Sequence, residues 1–250
     1  MASLQGKVAI VTGSSRGIGA AIAIALARQG ANIVVNHVSP NSKARAEEVA
    51  KAVEELGPKA LVVQADLSQL PDLESLVKQA VATFGKVDIL VNNGGVTQFA
   101  HIGEITPLSY QQIFDVNVRA TIFLSQAVVP HMGKGGRIIN VSSTAARQGI
   151  PSSAVYAASK GAVESLTRVM GIELRDKEIR VNAVAPGPVM TDMYHSVSEE
   201  ERAKKRAGAY VPVAEPSDIA DAVAFLASPA SRWVTGFTLS VNNGVVLFEG

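Results

Sequence analysis

The sequence predicts an α/β protein in which helices cover both faces of a parallel sheet. Short runs rich in Val and Ile alternate with longer segments of helical period, an order typical of helices packed on a parallel sheet. Most of the short runs are continuously apolar, as in residues 8–11 and 89–91, which indicates strands buried on both faces. No repeat, low-complexity tract or linker interrupts this pattern, so residues 1–250 are expected to form one domain.

The predicted elements alternate along the whole chain. The strands are expected at residues 7–12, 32–36, 60–64, 87–91, 137–141, 180–184 and 237–241. The helices are expected at residues 17–29, 42–56, 70–84, 109–131, 153–174 and 217–227. Every strand except the last is followed by a helix, which is the crossover connection that parallel pairing requires.

One segment departs from this alternation, between the sixth strand and the last helix. Its charged block, residues 199–206, has Glu and Lys at i,i+4 spacing, as a solvated helix would, and Ser198 with Glu201 fits a capping box. Long insertions of this kind are often lids. Residues 188–212 are therefore predicted to form a lid over a site.

Composition excludes several classes of function. The 250 residues contain no cysteine, which excludes disulfides, a thiolate nucleophile and Cys-ligated metals. The 23 basic and 22 acidic residues give no electrostatic footprint for nucleic acid. No apolar run is long enough to span a membrane, the first residues are too few and uncharged for a signal peptide, and the four histidines lack metal-ligand spacing. We expect a cytoplasmic protein with no metal, nucleic-acid or membrane partner.

A glycine-rich turn follows the first strand. Residues 12–19 read Thr-Gly-Ser-Ser-Arg-Gly-Ile-Gly and lead into a helix of small residues. Glycine permits positive φ and close backbone approach, and a helix N-terminus offers unpaired N–H groups to a pyrophosphate. At the start of a βαβ unit this turn predicts dinucleotide binding. The cofactor-binding residues predicted here are Gly13, Ser15, Arg16, Gly17, Ile18 and Gly19.

The end of the second strand indicates which dinucleotide binds. NAD-binding chains usually have an acid there, whereas this chain has Asn36-His37-Val38-Ser39. Arg16 can reach the same place, and an arginine pairs bidentately with a phosphate. The sequence therefore predicts NADP(H), with Asn36, His37 and Ser39 near the 2′-phosphate. In the alternative interpretation, Arg16 is an exposed turn residue and Asn36 caps the strand.

A tyrosine and a lysine share one helix face in the fifth helical segment. Tyr156 and Lys160 are one turn apart. A phenol, with a pKa of about 10, is a poor acid at neutral pH, and a nearby ammonium is expected to lower that pKa. Tyr156 could then protonate a carbonyl oxygen as hydride reaches the carbon. Ser142 and Ser143 end the preceding strand, at the sheet edge where α/β proteins bind ligands.

Together these motifs resemble the compact single-domain branch of the short-chain dehydrogenase/reductase family, over essentially the whole chain. The residues that carry the resemblance are 12–19, Asp66, 92–95, Asn117, Ser143, Tyr156, Lys160, Pro186, Gly187 and Thr191. The resemblance implies a Rossmann-type doubly wound sheet of about seven parallel strands. It also implies a homotetramer or homodimer built on helices 109–131 and 153–174. Residues 7–37 and 191–195 are similar to fungal naphthol and polyketide ketone reductases.

The resemblance also implies roles for single residues. Tyr156 would be the acid/base, Ser143 would orient the substrate carbonyl, and Lys160 would hold the nicotinamide ribose. Asn117 would hold a water linking Lys160 to solvent, or else be a buried amide at a helix kink. The remaining cofactor-binding residues expected are Asp66, Leu67, Asn93, Gly94, Gly95, Pro186, Gly187, Val189 and Thr191. Gly94 stands where the family often has Ala, which is expected to open room near the cofactor.

The predicted substrate is a ketone, bulky or aromatic, that is reduced to a secondary alcohol. The candidate wall residues are Val96, Phe99, Ile150, Met190, Met193, Tyr194 and Tyr210. A 3-oxoacyl-carrier-protein reductase is an alternative, which the basic residues Arg119, Arg147 and 204–206 would favour. A non-catalytic NADP(H)-binding sensor is the second alternative. Trp233 is expected to be a packing anchor before the last strand.

Overall fold

A seven-stranded sheet forms the centre of the computed structural model, which describes residues 3–195 and 213–246. The strands are β1 (Val8–Val11), β2 (Asn32–His37), β3 (Ala60–Gln64), β4 (Ile89–Asn92), β5 (Arg137–Val141), β6 (Arg180–Pro186) and β7 (Thr238–Val241). All neighbouring strands pair in parallel, in the order β3-β2-β1-β4-β5-β6-β7. The predicted doubly wound α/β fold is confirmed. The strand order reverses between β1 and β4, which opens a crevice at the carboxyl ends of the strands.

Helices cover both faces of this sheet. They are α1 (Gly17–Arg28), α2 (Lys43–Glu55), α3 (Leu70–Phe84), α4 (Pro107–Phe114), α5 (Ala120–Val128), α6 (Ala154–Glu173), α7 (Asp192–His195) and α8 (Pro216–Ala227). Helix α1 packs against α8, and α3 packs against α5. Short 3-10 turns lie at Pro40–Ser42, Val129–His131, Thr144–Ala146, Arg175–Lys177 and Pro229–Ser231.

The apolar runs of the central strands contribute side chains to two hydrophobic cores, one on each face of the sheet. Ala9 and Val11 of β1 belong to the core under α1 and α8, whereas Ile10 between them belongs to the core under α3 and α5. Val34 and Leu90 repeat this division in β2 and β4. Since successive side chains of a strand point to opposite faces, a strand covered on both faces needs an apolar residue at every position. This is why the runs are continuous and do not alternate.

The structure differs from the predicted helix 109–131 in two respects, its first residue and its continuity. The helical stretch begins at Pro107, after the Thr106 N-cap, and a π-helical turn at Asp115–Arg119 separates α4 from α5. The side-chain amide of Asn117, in this turn, is hydrogen-bonded to the main chain of Val96. Such π-turns are frequent at functional sites.

The predicted lid has a hydrogen-bonded base. Val189 and Ala214 form an isolated parallel bridge, the Met190 N–H donates to the Ala214 carbonyl at 2.9 Å, and the Ala214 N–H donates to the Pro188 carbonyl at 2.9 Å. The described part of the predicted lid ends with α7. Ser198, Glu201 and the charged block 199–206 lie outside the described residues, so the lid stays a prediction.

Trp233 does not pack before the last strand, so that expectation is wrong. Its side chain is 97% exposed. It follows α8 and the 3-10 turn Pro229–Ser231, in the connection to β7. Within the described residues, no helix is long and apolar enough to cross a bilayer. The same residues include no cluster of His, Cys, Asp and Glu that could hold a metal ion.

Candidate active site

A cavity of about 790 Å³ lies at the carboxyl ends of the strands, where the sheet order reverses. It is lined by residues that follow or end β1 to β6. All the predicted cofactor-binding residues line it: Gly13, Ser15, Arg16, Gly17, Ile18, Gly19, Asn36, His37, Ser39, Asp66, Leu67, Asn93, Gly94, Gly95, Tyr156, Lys160, Pro186, Gly187, Val189 and Thr191. Ser143 lines it as well, whereas Asn117 does not. The fold therefore brings together residues that are far apart in the sequence.

The glycine turn needs its glycines for steric reasons. Gly13 and Gly17 have φ of +61° and +56°, a region that residues with a Cβ rarely adopt. A Cβ at Gly19 would overlap the Gly13 carbonyl oxygen and the Asn93 side chain. The N-cap of α1, Arg16, makes no side-chain capping bond, and the first turn holds no acid. The first N–H groups of α1 can therefore hold an anion, which fits a pyrophosphate.

Two asparagines fix the position of this turn. The Asn36 Oδ1 accepts from the Gly13 N–H at 2.9 Å, while its Nδ2 donates to the Ala65 carbonyl at 3.1 Å. The Asn93 Nδ2 donates to the Thr12 carbonyl at 2.8 Å. The Asn36 amide thus joins the ends of three strands, which favours its alternative role as a strand-end cap over a contact with the 2′-phosphate.

The residues after β2 and β3 form one wall of the cavity. The ring of His37 is buried, with Nδ1 3.0 Å from the Ser39 carbonyl oxygen. The Asp66 Oδ1 accepts from the Ser68 N–H at 2.8 Å, just before α3. The space that a Cβ on Gly94 would occupy is filled by a methyl group of Leu67. The expectation that Gly94 opens room near the cofactor is therefore wrong.

Three charged side chains converge beside the glycine turn. The Arg16 Nη1 lies 2.6 Å from the Asp192 Oδ2, and the Arg45 Nη1 lies 3.4 Å from the same oxygen. Arg45 and Asp192 also line the cavity. Sequence reasoning missed both residues as parts of the site. The sequence did offer one indication of Arg45, since it is a second arginine close to the end of β2, where the acid usual in NAD-binding chains is missing.

Tyr156, Ser143 and Lys160 meet at the other end of the cavity. The Ser143 hydroxyl accepts from the Ala145 N–H at 3.2 Å and is hydrogen-bonded to the Tyr156 hydroxyl. The Lys160 Nζ lies 5.8 Å from the centre of the Tyr156 ring and donates to the Val141 carbonyl at 2.8 Å. One hydroxyl, one phenol and one ammonium therefore face the same space.

Burial dominates the electrostatics of this group. It raises the pKa of Tyr156, and the hydrogen bond from Ser143 offsets only part of that rise. This direction is opposite to the predicted lowering by Lys160. Burial also lowers the pKa of Lys160 to about 8, because a charged ammonium loses hydration in the interior. Near neutral pH, Tyr156 is protonated and Lys160 is mostly charged.

Asn117 is buried and does not line the cavity, but it is hydrogen-bonded to Val96, which does. Its Oδ1 accepts from the Val96 N–H at 2.9 Å, while its Nδ2 donates to the Val96 carbonyl at 2.9 Å and to the Ser159 hydroxyl at 3.0 Å. A Cβ on Gly95 would lie 3.3 Å from both the Asn117 Oδ1 and the Lys160 Nζ. The arrangement favours the buried amide at an irregular helix over a side chain that holds a water.

Ser142 lies beside Ser143 but has structural partners. Its hydroxyl donates to the Lys160 carbonyl at 3.2 Å and to the Glu164 Oε1 at 3.3 Å. Glu164 is buried, and its Oε2 lies 2.7 Å from the Arg147 Nε. These contacts attach the loop after β5 to α6, the helix that carries Tyr156.

The predicted substrate wall is only partly present in this cavity. Val96, Met193 and Tyr194 line it, and Ile150 lines a second cavity of about 490 Å³. Phe99 and Met190 line neither cavity and are 45% and 38% exposed. Tyr210 lies outside the described residues.

The comparisons with known proteins agree with this geometry. A family model described as enoyl-(acyl carrier protein) reductase matches residues 13–246. A short-chain dehydrogenase/reductase of Pestalotiopsis microspora is 42% identical over 255 residues, which cover 96% of this chain and 96% of that protein. The chain belongs to the short-chain dehydrogenase/reductase family. The predicted family, with an oxidoreductase activity, is confirmed.

Three further proteins are similar to this chain over almost their full lengths. The tetrahydroxynaphthalene reductase of Pyricularia oryzae is 40% identical over 98% of this chain and 92% of that protein. A blue fluorescent protein from a metagenomic library, solved with NADPH, has a TM-score of 0.93 and 41% identity, covering 98% and 100% of the two chains. The angucycline C-6 ketoreductase LanV, solved with bound NADP, has a TM-score of 0.91 and 37% identity, covering 98% of each chain.

Proposed function

We propose that this short-chain dehydrogenase/reductase uses NADP(H) to reduce a bulky or aromatic ketone to a secondary alcohol, with Tyr156 as the proton donor. One observation carries the proposal. The Tyr156 hydroxyl, the Ser143 hydroxyl and the Lys160 ammonium converge in the same cavity that the glycine turn lines. A phenol next to a dinucleotide site is suited to carbonyl reduction. The presence of both Tyr156 and Lys160 favours an enzyme over a protein that only binds the cofactor.

The chain offers a complementary group for each part of NADP(H), whose nicotinamide supplies hydride when bound. The N-terminus of α1 would hold the pyrophosphate, and Arg16 the 2′-phosphate. Lys160 would hold the nicotinamide ribose. Val189 and Thr191, which line the cavity after β6, would hold the nicotinamide carboxamide. The solved relatives that hold NADPH or NADP support this assignment.

The pKa directions suit the reductive reaction. A buried phenol whose pKa is raised keeps its proton at neutral pH and can give it to the carbonyl oxygen. Ser143 would hold the same oxygen by hydrogen bonding. The Lys160 ammonium near the Tyr156 ring stabilises the phenolate that forms after the transfer.

The substrate class rests on the apolar wall and on the relatives. Val96, Met193 and Tyr194 give the cavity an apolar side, and a methionine adapts to flat or irregular ligands. A tetrahydroxynaphthalene reductase and an angucycline C-6 ketoreductase, both named for polycyclic compounds, are similar over nearly the whole chain. These observations favour a fused-ring ketone.

A carrier-bound 3-oxoacyl substrate is the second candidate, because the matching family model is named for an acyl-carrier-protein reductase. An acidic carrier protein would bind best to basic residues around the entrance of the cavity, because complementary charges favour association. Arg119 is paired with Asp115 at 3.0 Å, and Arg147 with Glu164 at 2.7 Å. Residues 204–206 lie outside the described residues. Because both arginines are already paired, the structure favours a free ketone over a carrier-bound thioester.

We also propose that the chain assembles into a homotetramer or homodimer and acts in the cytoplasm. Large apolar side chains are exposed along the two predicted assembly helices, with Leu108 65% exposed in α4 and Ile172 68% exposed in α6. Trp233 and Phe237 add to the exposed apolar surface near β7. These exposed apolar side chains support the proposal, because an interface between copies of the chain would remove them from water.

A substrate panel tests the proposed function. NADPH oxidation would be followed by absorbance with fused-ring ketones, simple aliphatic ketones and a carrier-bound 3-oxoacyl thioester. We expect the largest kcat/KM for a fused-ring ketone. A larger value for the thioester would favour the carrier alternative, whereas NADPH binding without turnover of any substrate would favour the sensor.

A further inference from the structure

Two arginines from different elements reach one carboxylate oxygen at the edge of the cavity. Arg16 lies in the glycine turn as the N-cap of α1, Arg45 lies in the first turn of α2, and Asp192 begins α7. We propose that Arg45 is a second recognition residue for the 2′-phosphate of NADP(H), and that the phosphate replaces Asp192 on the two guanidinium groups. This inference rests on the proposed cofactor.

The ion-pair geometry shows that both cations can serve a single anion. The Asp192 Oδ2 is 2.6 Å from the Arg16 Nη1 and 3.4 Å from the Arg45 Nη1. A phosphate oxygen at the same place would meet the same two groups. A phosphate monoester has three acceptor oxygens, so it can engage two guanidinium groups at once without loss of geometry.

The charges favour the exchange. Two arginines facing one carboxylate leave an excess positive charge, which a phosphate monoester with a charge near −2 neutralises better than a carboxylate does. Among the described residues that line the cavity, Asp66 is the other carboxylate. Its Oδ1 already accepts from the Ser68 N–H at 2.8 Å, and the end of β2 contributes no acid.

Solvent exposure makes the existing ion pair easy to break. The side chains of Arg16, Arg45 and Asp192 are 61%, 58% and 61% exposed. Exposed ion pairs contribute little to stability, because water solvates the separated charges nearly as well. Asp192 is therefore a weak internal competitor of the phosphate.

The packing of α2 fixes Arg45 at the cavity. Ala46, Val49, Ala50 and Val53 are the buried residues of this helix. They leave Arg45 beside Ser42 at the cavity wall. Lys43, in the same turn, pairs instead with Glu47 at 3.6 Å and does not line the cavity. The chain thus supplies a matched control for a charge on α2 that does not face the site.

Cofactor affinity, measured by fluorescence titration with NADPH and with NADH, tests the inference. We expect Arg45→Ala to weaken NADPH binding about tenfold and to change NADH binding less than about twofold. Asp192→Asn should tighten NADPH binding roughly two- to fivefold, because the internal competitor is gone. Lys43→Ala should change neither by more than about twofold, and thermal unfolding checks that every variant is folded.

The outcomes separate this inference from the proposed function. If Arg16→Ala loses the preference for NADPH while Arg45→Ala behaves like Lys43→Ala, the role of Arg45 is overturned and the proposed cofactor stands. Unchanged or weaker NADPH binding in Asp192→Asn overturns the exchange. If the wild-type chain binds adenosine 2′,5′-bisphosphate no better than AMP, both the cofactor proposal and this inference fail.

Discussion

Glu164 and Asp192 make ion pairs of nearly the same length, but the Glu164 carboxylate is buried and the Asp192 carboxylate is exposed. The Glu164–Arg147 pair measures 2.7 Å with the carboxylate side chain 6% exposed, and the Asp192–Arg16 pair measures 2.6 Å with the carboxylate 61% exposed. Glu164 lies one turn beyond Lys160 on α6, the helix that carries Tyr156 and Lys160 at the reactive end of the cavity. Asp192 lies at the proposed phosphate end.

The difference in exposure indicates that the two ends of the cavity have different functions. Burial at the reactive end shifts the pKa of Tyr156 and Lys160 and holds the surrounding groups in one arrangement. Exposure at the other end lets charges exchange partners at low cost. The reactive end is thus suited to proton transfer, and the exposed end to capture of a charged cofactor.

Among the charged groups of the two ends, the buried ammonium of Lys160 should have the largest effect when it is removed. We expect Lys160→Met to lower kcat/KM about 100-fold or more, because the phenolate of Tyr156 and the cofactor ribose lose their cationic partner. Steady-state rates with saturating NADPH measure the loss. A rate within a few-fold of wild type would show that the ammonium has no part in the reaction.

Lys160→Met also tests the lowered pKa of Lys160, through the pH dependence of the free energy of unfolding. Between about pH 8 and the usual pKa of lysine, the unfolded chain still binds the proton and the folded chain has lost it. Wild-type stability should therefore rise with pH across this window, by about 2 kcal/mol relative to Lys160→Met between about pH 7 and 9.5. Denaturant unfolding at several pH values measures the difference. A constant difference would contradict the lowered pKa.

Breaking the buried ion pair should come next. Glu164→Gln leaves Arg147 without its carboxylate and is expected to lower the free energy of unfolding by about 2 kcal/mol or more. Urea unfolding measures this loss. A cost below about 0.5 kcal/mol would remove the contrast with Asp192.

The exposed carboxylate should matter least for stability. Asp192→Asn is expected to change the free energy of unfolding by less than about 0.5 kcal/mol. The same urea experiment, run beside Glu164→Gln, gives the comparison directly. Equal costs for the two variants would contradict the division between a buried and an exposed end.

Much of the fold could be predicted because the apolar residues of each strand indicate how many of its faces are buried. The apolar runs around Ile10, Val34 and Leu90 require two covered faces, and the structure has them. A helix kink at Asn117 was one of two alternatives, and the sequence could not decide between them because the deciding hydrogen bonds reach Val96 on a separate loop. Trp233 was misjudged because its type indicates packing while its position in the fold leaves it exposed.

The site residues divide in the same way. Tyr156 and Lys160 are one helical turn apart, so their pairing is visible in the sequence. Arg45 and Asp192 meet only through tertiary packing, and no local pattern joins them. The direction of the Tyr156 pKa was missed because it depends on burial by the whole fold, which outweighs the neighbouring charge.

The most direct test of the account is single-turnover hydride transfer in Tyr156→Phe, with the NADPH dissociation constant measured on the same samples. Tyr110→Phe, an exposed tyrosine in α4, is the matched control. We predict that Tyr156→Phe slows the transfer by about 100- to 10,000-fold, while NADPH affinity stays within about twofold and Tyr110→Phe behaves as wild type. An unchanged rate in Tyr156→Phe would contradict the assignment of Tyr156 as the proton donor.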